Sequence, residues 1–170
     1  STFAGVLKPV EQAESLPPWC YTEDSVYLRE QERLFRGGWV SVGREDRWQN
    51  PGDYVALEVG GTPIIVLRGE DGILRSFANS CRHRGMLLLM PGDGHCERIT
   101  CPFHGWNYRL DGSLQAAPKM TDAVDFDTNN YGLIEISLAA RAGFVFVNLD
   151  GRAGRIDDWL GDFEALHRPW

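Results

Sequence analysis

The sequence predicts a mainly β fold: an antiparallel β-sandwich or small barrel, with a leading α-helix and a short C-terminal helix. Three observations carry this. Short runs of β-branched and aromatic residues recur at close spacing between residues 39 and 148. Gly-Gly and Asp-Gly steps stand between them as hairpin turns. Helical signals are confined to the two flanks.

In chain order, residues 1–20 are expected to be irregular, broken by Pro9, Pro17 and Pro18. Residues 23–36 predict a helix. Thr22 can cap it, acids lie early, Arg33 and Arg36 lie late, and Gly37 with Gly38 ends it. Strands follow at residues 39–43, 54–59 and 63–68, the last two joined by a tight turn at Gly60 and Gly61. A turn over residues 69–72 leads into a strand at 73–78. Residues 98–100 and 106–110 flank a second loop, and Asp111 with Gly112 makes another hairpin. Later strands are expected at 133–138 and 143–148. A final helix is expected near 156–166, with Asp157 and Asp158 at its start.

Composition sets limits. The 170 residues suit one domain with short appendages, and 43% hydrophobic residues can fill its core. No run approaches the roughly eighteen apolar residues that a membrane span requires, and no secretion leader is visible. Four Cys without disulfide spacing fit a reducing, cytoplasmic setting. A net charge of −7 argues against nucleic-acid binding, which needs a basic face. Basic residues nevertheless gather at Arg82, Arg84, Arg98, Arg109 and Lys119. They read either as solvated loop charge or as a docking patch for an acidic electron donor.

Four residues carry the chemistry: Cys81 and His83 in C-R-H-R-G, then Cys101 and His104 in C-P-F-H-G-W. Ligands one or three positions apart on a turn can point into one cavity. Each loop offers one thiolate and one imidazole. Two such loops can clamp a [2Fe–2S] core, thiolates on one iron and imidazoles on the other. Structural zinc also accepts two Cys and two His, although zinc fingers usually pair like with like along the chain. Red-brown colour and a rhombic spin signal on reduction would separate iron–sulfur from zinc. Cys20 and Cys96 read as spare thiols, and His95 lies between the loops.

On these residues the chain resembles the N-terminal part of the large subunit of Rieske non-haem iron oxygenases. The likeness extends to F-R-G-G-W at residues 35–39, L-D-G-S-L at 110–114 and G-F-V-F-V-N-L at 143–149, and covers roughly residues 16 to 165. It implies an N-terminal extension over 1–38, a Rieske [2Fe–2S] domain over 39–150, and the start of a catalytic domain over 151–170. It implies that Cys81, His83, Cys101 and His104 bind the cluster. Arg84, Gly85, Gly105, Trp106 and Tyr108 would surround it: the glycines letting the backbone approach, Trp106 and Phe103 packing or shielding, Tyr108 donating to a ligand sulfur.

Departures from respiratory Rieske proteins are informative. Those proteins have an extra Cys in each loop, forming a disulfide; Met86 and Phe103 stand at these positions. A Ser that donates to the cluster is replaced by Trp106. Fewer donors place the potential near the low end of the Rieske range, about −150 mV. That suits a cluster feeding an oxygen-activating iron. The free ring nitrogens of His83 and His104 would offer an electron exit and a redox-linked proton site.

In the resembling family the chemistry occurs at a second iron held by two His and a carboxylate, usually as D/E-x2-H-x4-H. Only Glu164 and His167 approach that pattern here, and they read as ordinary helix-surface residues. The chain is therefore expected to be a non-catalytic electron-relay portion of a longer oxidoreductase. The full-length enzyme would use O2 and NAD(P)H-derived electrons to act on an aromatic hydrocarbon or a quaternary amine. Its partners would be a reductase or ferredoxin donor and a neighbouring subunit's catalytic domain, in a homotrimer. The alternative is a freestanding Rieske ferredoxin, although such carriers are shorter and lack the leading helix.

Overall fold

The structure is a computed structural model that describes residues 3–120 and 122–167. Its scaffold is an antiparallel sheet built from β1 (Val40–Arg44), β2 (Asp53–Val59), β3 (Thr62–Arg68), β4 (Leu74–Ala78), β5 (Gly92–His95), β9 (Glu135–Arg141) and β10 (Phe144–Asn148). Among the described residues the order is β1-β10-β9-β4-β3-β2-β5. A second sheet joins β6 (Ile99–Thr100), β7 (Asn107–Tyr108) and β8 (Leu114–Ala116). The expected mainly antiparallel β architecture holds, with the seven-stranded sheet curled as a half-barrel.

β3 explains how the layers are held. Its apolar run is buried on both faces. Ile64 and Val66 pack with Val42, Trp48, Val55, Val145 and Val147. Ile65 and Leu67 point the other way, to Phe77, Ile99, Tyr108, Leu110 and Leu114. The period-two alternation of a strand thus divides one run of four apolar residues between two cores. The second core seats the small sheet and its loops. Gly112 is required there: its φ is +86°, and a Cβ would overlap the Phe77 ring.

The β2–β3 hairpin turns at Gly60 and Gly61, both at positive φ, and the ladder runs from Tyr54↔Leu67 to Val59↔Thr62. Two positive-φ positions are what a tight right-twisting hairpin demands. Two strands went unforeseen. β5 reads G-D-G-H, poor in β propensity, and is a strand because β2 pairs with it from Asp53↔His95 to Ala56↔Gly92. β8 is short and joins β7 across a bulge.

The flanks differ from expectation. A short helix α1 (Trp19–Thr22) forms where irregular chain was expected. The leading helix α2 (Asp24–Glu30) starts after Glu23, and Thr22 donates instead to the Pro18 carbonyl at 3.3 Å. It continues as a π-helical stretch, Gln31–Arg36, closed by Gly37 N–H donating to Glu32 O. Asn148, 1% exposed, secures the end of this segment by donating to Gly38 O at 3.0 Å and Arg36 O at 3.3 Å. The C-terminal helix is two helices, α3 (Ile156–Leu160) and α4 (Phe163–His167), split at Gly161 with φ +52°.

Candidate metal centre

The loop between β4 and β5 carries Cys81 and His83, and the loop between β6 and β7 carries Cys101 and His104. They are two copies of one turn. Cys81 N–H donates to Met86 O at 2.8 Å, and Cys101 N–H to Trp106 O at 2.7 Å. Gly85 N–H donates to Cys81 O at 2.8 Å, and Gly105 N–H to Cys101 O at 3.1 Å. The fourth residue after each Cys is a glycine with φ +71° or +73°. A Cβ at either would meet only ordinary contacts, Ser80 Oγ at 3.8 Å and Pro118 Cγ at 3.7 Å. Backbone conformation is therefore a sufficient reason for both glycines.

The turns bring the donors to one end of the second core. Cys81 is 3% and Cys101 2% exposed. The half-buried imidazoles of His83 and His104 have centroids 4.7 Å apart, tilted by 67°. His83 Nδ1 is buried without a hydrogen-bond partner among the described residues. Desolvation holds His104 below the usual imidazole range, with His83, Arg84 and Lys119 adding to the effect. Tyr108 OH lies 3.3 Å from Cys81 Sγ and accepts from Arg82 N–H at 3.0 Å. Burial, then the bond to Cys81, pushes its ionisation well above the ordinary phenol value.

Around these donors the structure sorts the other candidates. Trp106, 1% exposed, stacks on His83 with centroids 4.8 Å apart and planes 10° apart. Phe103 lies 3.9 Å from the His104 ring and is 61% exposed. Arg82 and Arg84 are exposed on the first loop. Arg98 and Arg109 do not join them. They flank the Ile99↔Tyr108 pair at the far end of the β6–β7 hairpin. There they line a separate cavity of about 400 Å³ with His95, Cys96, Glu70 and Glu97. The basic cluster read from the sequence is thus two groups. Cys96 has its thiol ionisation pushed up by burial. Glu164 and His167 lie on α4, where His167 Nδ1–H donates to Phe163 O at 2.8 Å.

One organising residue escaped the sequence reading. Asn79 is 3% exposed and precedes the first loop. Its Oδ1 accepts from Leu88 N–H at 3.1 Å and Leu89 N–H at 3.0 Å, while Nδ2 donates to Leu89 O at 2.8 Å. One amide side chain thereby closes the far side of the loop that carries Cys81 and His83.

Among the described residues, no three His, Cys, Asp or Glu side chains converge on one point as a single metal ion would need. A lone zinc in a Cys2His2 tetrahedron requires four. A two-iron core asks only two protein donors of each iron, and the residues present fit that demand: two buried thiols, two adjacent imidazoles and an unpartnered Nδ1. Comparison with protein families agrees. Residues 38–132 match the Rieske [2Fe-2S] domain.

The chain belongs to the Rieske [2Fe-2S] domain family. Its relatives are large oxygenase subunits. The Escherichia coli (strain K12) carnitine monooxygenase oxygenase subunit is 37% identical over 151 residues, 88% of this chain and 40% of that protein. The crystal structure of the quaternary ammonium Rieske monooxygenase CntA with L-carnitine superposes with a TM-score of 0.85 at 36% identity, covering 92% of this chain and 45% of the other. Naphthalene 1,2-dioxygenase from Rhodococcus sp., bound to indole, superposes with a TM-score of 0.84 at 32% identity, covering 96% and 38%. The chain spans about two fifths of the length of the curated relative it matches. The cofactor of this Rieske domain is a [2Fe–2S] cluster. No helix among the described residues is long and apolar enough to cross a membrane.

Proposed function

We propose that this Rieske domain relays single electrons within an oxygenase, with Cys81 and Cys101 holding one iron and His83 and His104 the other. The carrying observation is the repeated turn, which presents two buried thiols and two adjacent imidazoles at one end of one core. The bound cluster supplies a one-electron store whose iron positions are all filled by sulfide, Cys and His. The surrounding residues exclude water and set its surroundings. Cys81 and Cys101 are sealed by Leu88, Leu110, Leu114 and Leu133. Tyr108 gives a donor to Cys81, and Arg82, through its N–H, orients that hydroxyl. The imidazole edges stay partly open at the tip.

The oxygenase assignment, rather than a freestanding ferredoxin, is supported by the size of the relatives and by likeness over 88% of this chain, leading segment included. Domain limits follow that reading: an extension over 1–38, the Rieske domain over 39–150, and residues 151–170 leading into a catalytic domain with a mononuclear iron. Exposed Arg82, Arg84 and Lys119, with Met86 and Phe103 exposed on the same two loops as the ligands, suit an acidic electron donor, a reductase or ferredoxin. Inter-subunit electron transfer, described for a related quaternary ammonium Rieske monooxygenase, supports delivery to a neighbouring subunit of a homotrimer. A quaternary amine is the favoured substrate class over an aromatic hydrocarbon, on 37% identity to the carnitine monooxygenase subunit and 36% to CntA, against 32% to the naphthalene dioxygenase. A cytoplasmic setting fits four cysteines of which none is in a disulfide.

The test replaces Cys81, His83, Cys101 and His104 one at a time by Ala and measures iron, sulfide and visible absorption. Each variant is expected to lose the charge-transfer bands. A variant that keeps full iron, sulfide and spectrum removes that residue from the ligand set.

A further inference from the structure

We propose that Trp106 is a positioning residue for His83, fixing the orientation of one imidazole while the other is left free to adjust. The inference rests on the ligand assignment above and adds an inequality between two ligands that the repeated backbone would make equivalent.

The loops are alike in backbone and unlike at one position. Met86 and Trp106 each follow the turn glycine, and each offers its carbonyl to the ligating Cys N–H. Met86 is 42% exposed, whereas Trp106 is 1% exposed. The indole reaches across to the opposite loop and lies nearly parallel to His83, 4.8 Å between centroids and 10° between planes, an offset-stacked arrangement. His104 has no such support: its neighbour Phe103 is tilted by 35° and mostly in solvent.

Stacking matters here because hydrogen bonding is missing. A ligating His is ordinarily oriented by a bond from its second ring nitrogen to a carboxylate or carbonyl. Nδ1, buried and unpartnered among the described residues, is the nitrogen left for iron, and no protein group there bonds the second ring nitrogen. Beyond the bond to iron, ring contacts are then what holds its χ2. Turning the imidazole about Cβ–Cγ would drive an edge into the indole. The indole cannot yield easily, because Phe126 at 5.6 Å and Tyr131 at 5.7 Å meet it edge-on. Those two rings close on each other at 4.7 Å. Tyr131 ends a 3-10 turn, Thr128–Tyr131, whose start is capped by Asp127 accepting from Asn129 N–H. A chain of rigid groups therefore runs from a capped turn, through Trp106, to His83 Nδ1.

Flatness, not volume, is the property required. Trp106 Nε1 is buried without a partner, so a phenyl ring would serve the stack without that unpaired donor. The experiment uses the whole chain with its cluster, reduced, in three variants: Trp106→Phe, Trp106→Leu and Trp106→Met, the last carrying the residue found at the equivalent place in the first loop. The readouts are iron and sulfide content, midpoint potential, and the two imidazole-nitrogen couplings seen by pulsed electron-spin resonance. With Leu and Met, one coupling is expected to broaden and be lost while the other stays sharp, with a shifted potential. Phe is expected to restore both couplings. If Leu and Met shed iron while Phe retains it, flatness is again the distinguishing property and the proposal stands. It is overturned if Leu leaves both couplings sharp, if both broaden together, or if all three variants lose iron alike. A parent protein with no nitrogen couplings would refute the ligand assignment itself, which is a different result.

Discussion

The Tyr108 hydroxyl sits 3.3 Å from Cys81 Sγ while accepting a hydrogen bond from Arg82 N–H at 3.0 Å. Because its oxygen is already engaged as an acceptor, its proton is directed at the sulfur. Such a donor stabilises the more negative, reduced cluster over the oxidised one. Tyr108→Phe should therefore lower the midpoint potential. A differential of about 1 kcal/mol, typical of one neutral hydrogen bond, corresponds to roughly 40 mV for a one-electron couple. Redox titration measures it, and an unchanged or raised potential would show that the hydroxyl does not donate to the thiolate.

Asn79 makes a prediction about folding rather than potential. Asn79→Ala strips Leu88 N–H, Leu89 N–H and Leu89 O of their partner at the buried and half-buried end of the loop. Some are rehydrated and some are not, so the cost should be about 2–3 kcal/mol. Urea denaturation of cluster-loaded protein checks the figure. Hydrogen exchange at Leu88 and Leu89 should accelerate ahead of exchange in β3. Equal acceleration in both places would mean that the side chain stabilises the domain globally and not the loop.

The contrast between these residues explains what the sequence made legible. Cys81, His83, Cys101 and His104 stand out because ligand chemistry is rare in composition and their spacing is local. Asn79 carries no such mark. Its partners are nine and ten residues on, and only the folded loop brings them back. β5 was invisible for a related reason: Gly92, Asp93 and Gly94 are poor strand formers. They are held in place by β2 and by the Arg47–Asp93 ion pair at 2.6 Å. For the basic residues, proximity to the ligands in sequence is not proximity in space. Arg109 follows Tyr108 directly, yet the hairpin carries it to the end opposite the loop. The leading and trailing helices were foreseen as elements but not as broken ones, since the break at Gly161 and the π-helical stretch depend on tertiary geometry.

Acid should destabilise the domain before alkali does. Hydrogen bonds and charge hold several carboxylates below their ordinary range: Asp53 through His95, Asp71 through Arg75, Asp93 through Arg47, Asp111 through Ser113 and Asp157 through Arg141. A folded pKa below the unfolded value gives stability that is present above the unfolded value, about 3.9 for Asp. That stability is lost as pH falls through the folded value, where the native pairs protonate. Thermal midpoints should stay flat on this account from neutrality to about pH 5 and then fall steeply. Most of these pairs are at the surface, so added salt should flatten the acid limb. An acid limb indifferent to salt would place the loss elsewhere, at the metal centre.

The remaining prediction concerns what residues 1–170 accomplish on their own. Oxygen activation in Rieske oxygenases needs an iron with open positions, held by two His and a carboxylate. Beyond His83 and His104, the chain has two histidines. His95 Nδ1 engages Asp53 Oδ1 at 3.0 Å, and His167 Nδ1 engages Phe163 O. They lie on β5 and α4, at separate places in the fold. With reductase, NADH, O2 and quaternary-amine or aromatic substrates, the chain should take up one electron and release no substrate-dependent product. Stopped-flow bleaching of the visible bands measures the first and product chromatography the second. Coupled product formation by this chain would require a second iron site, and Glu164 with His167 would be the place to begin mutating.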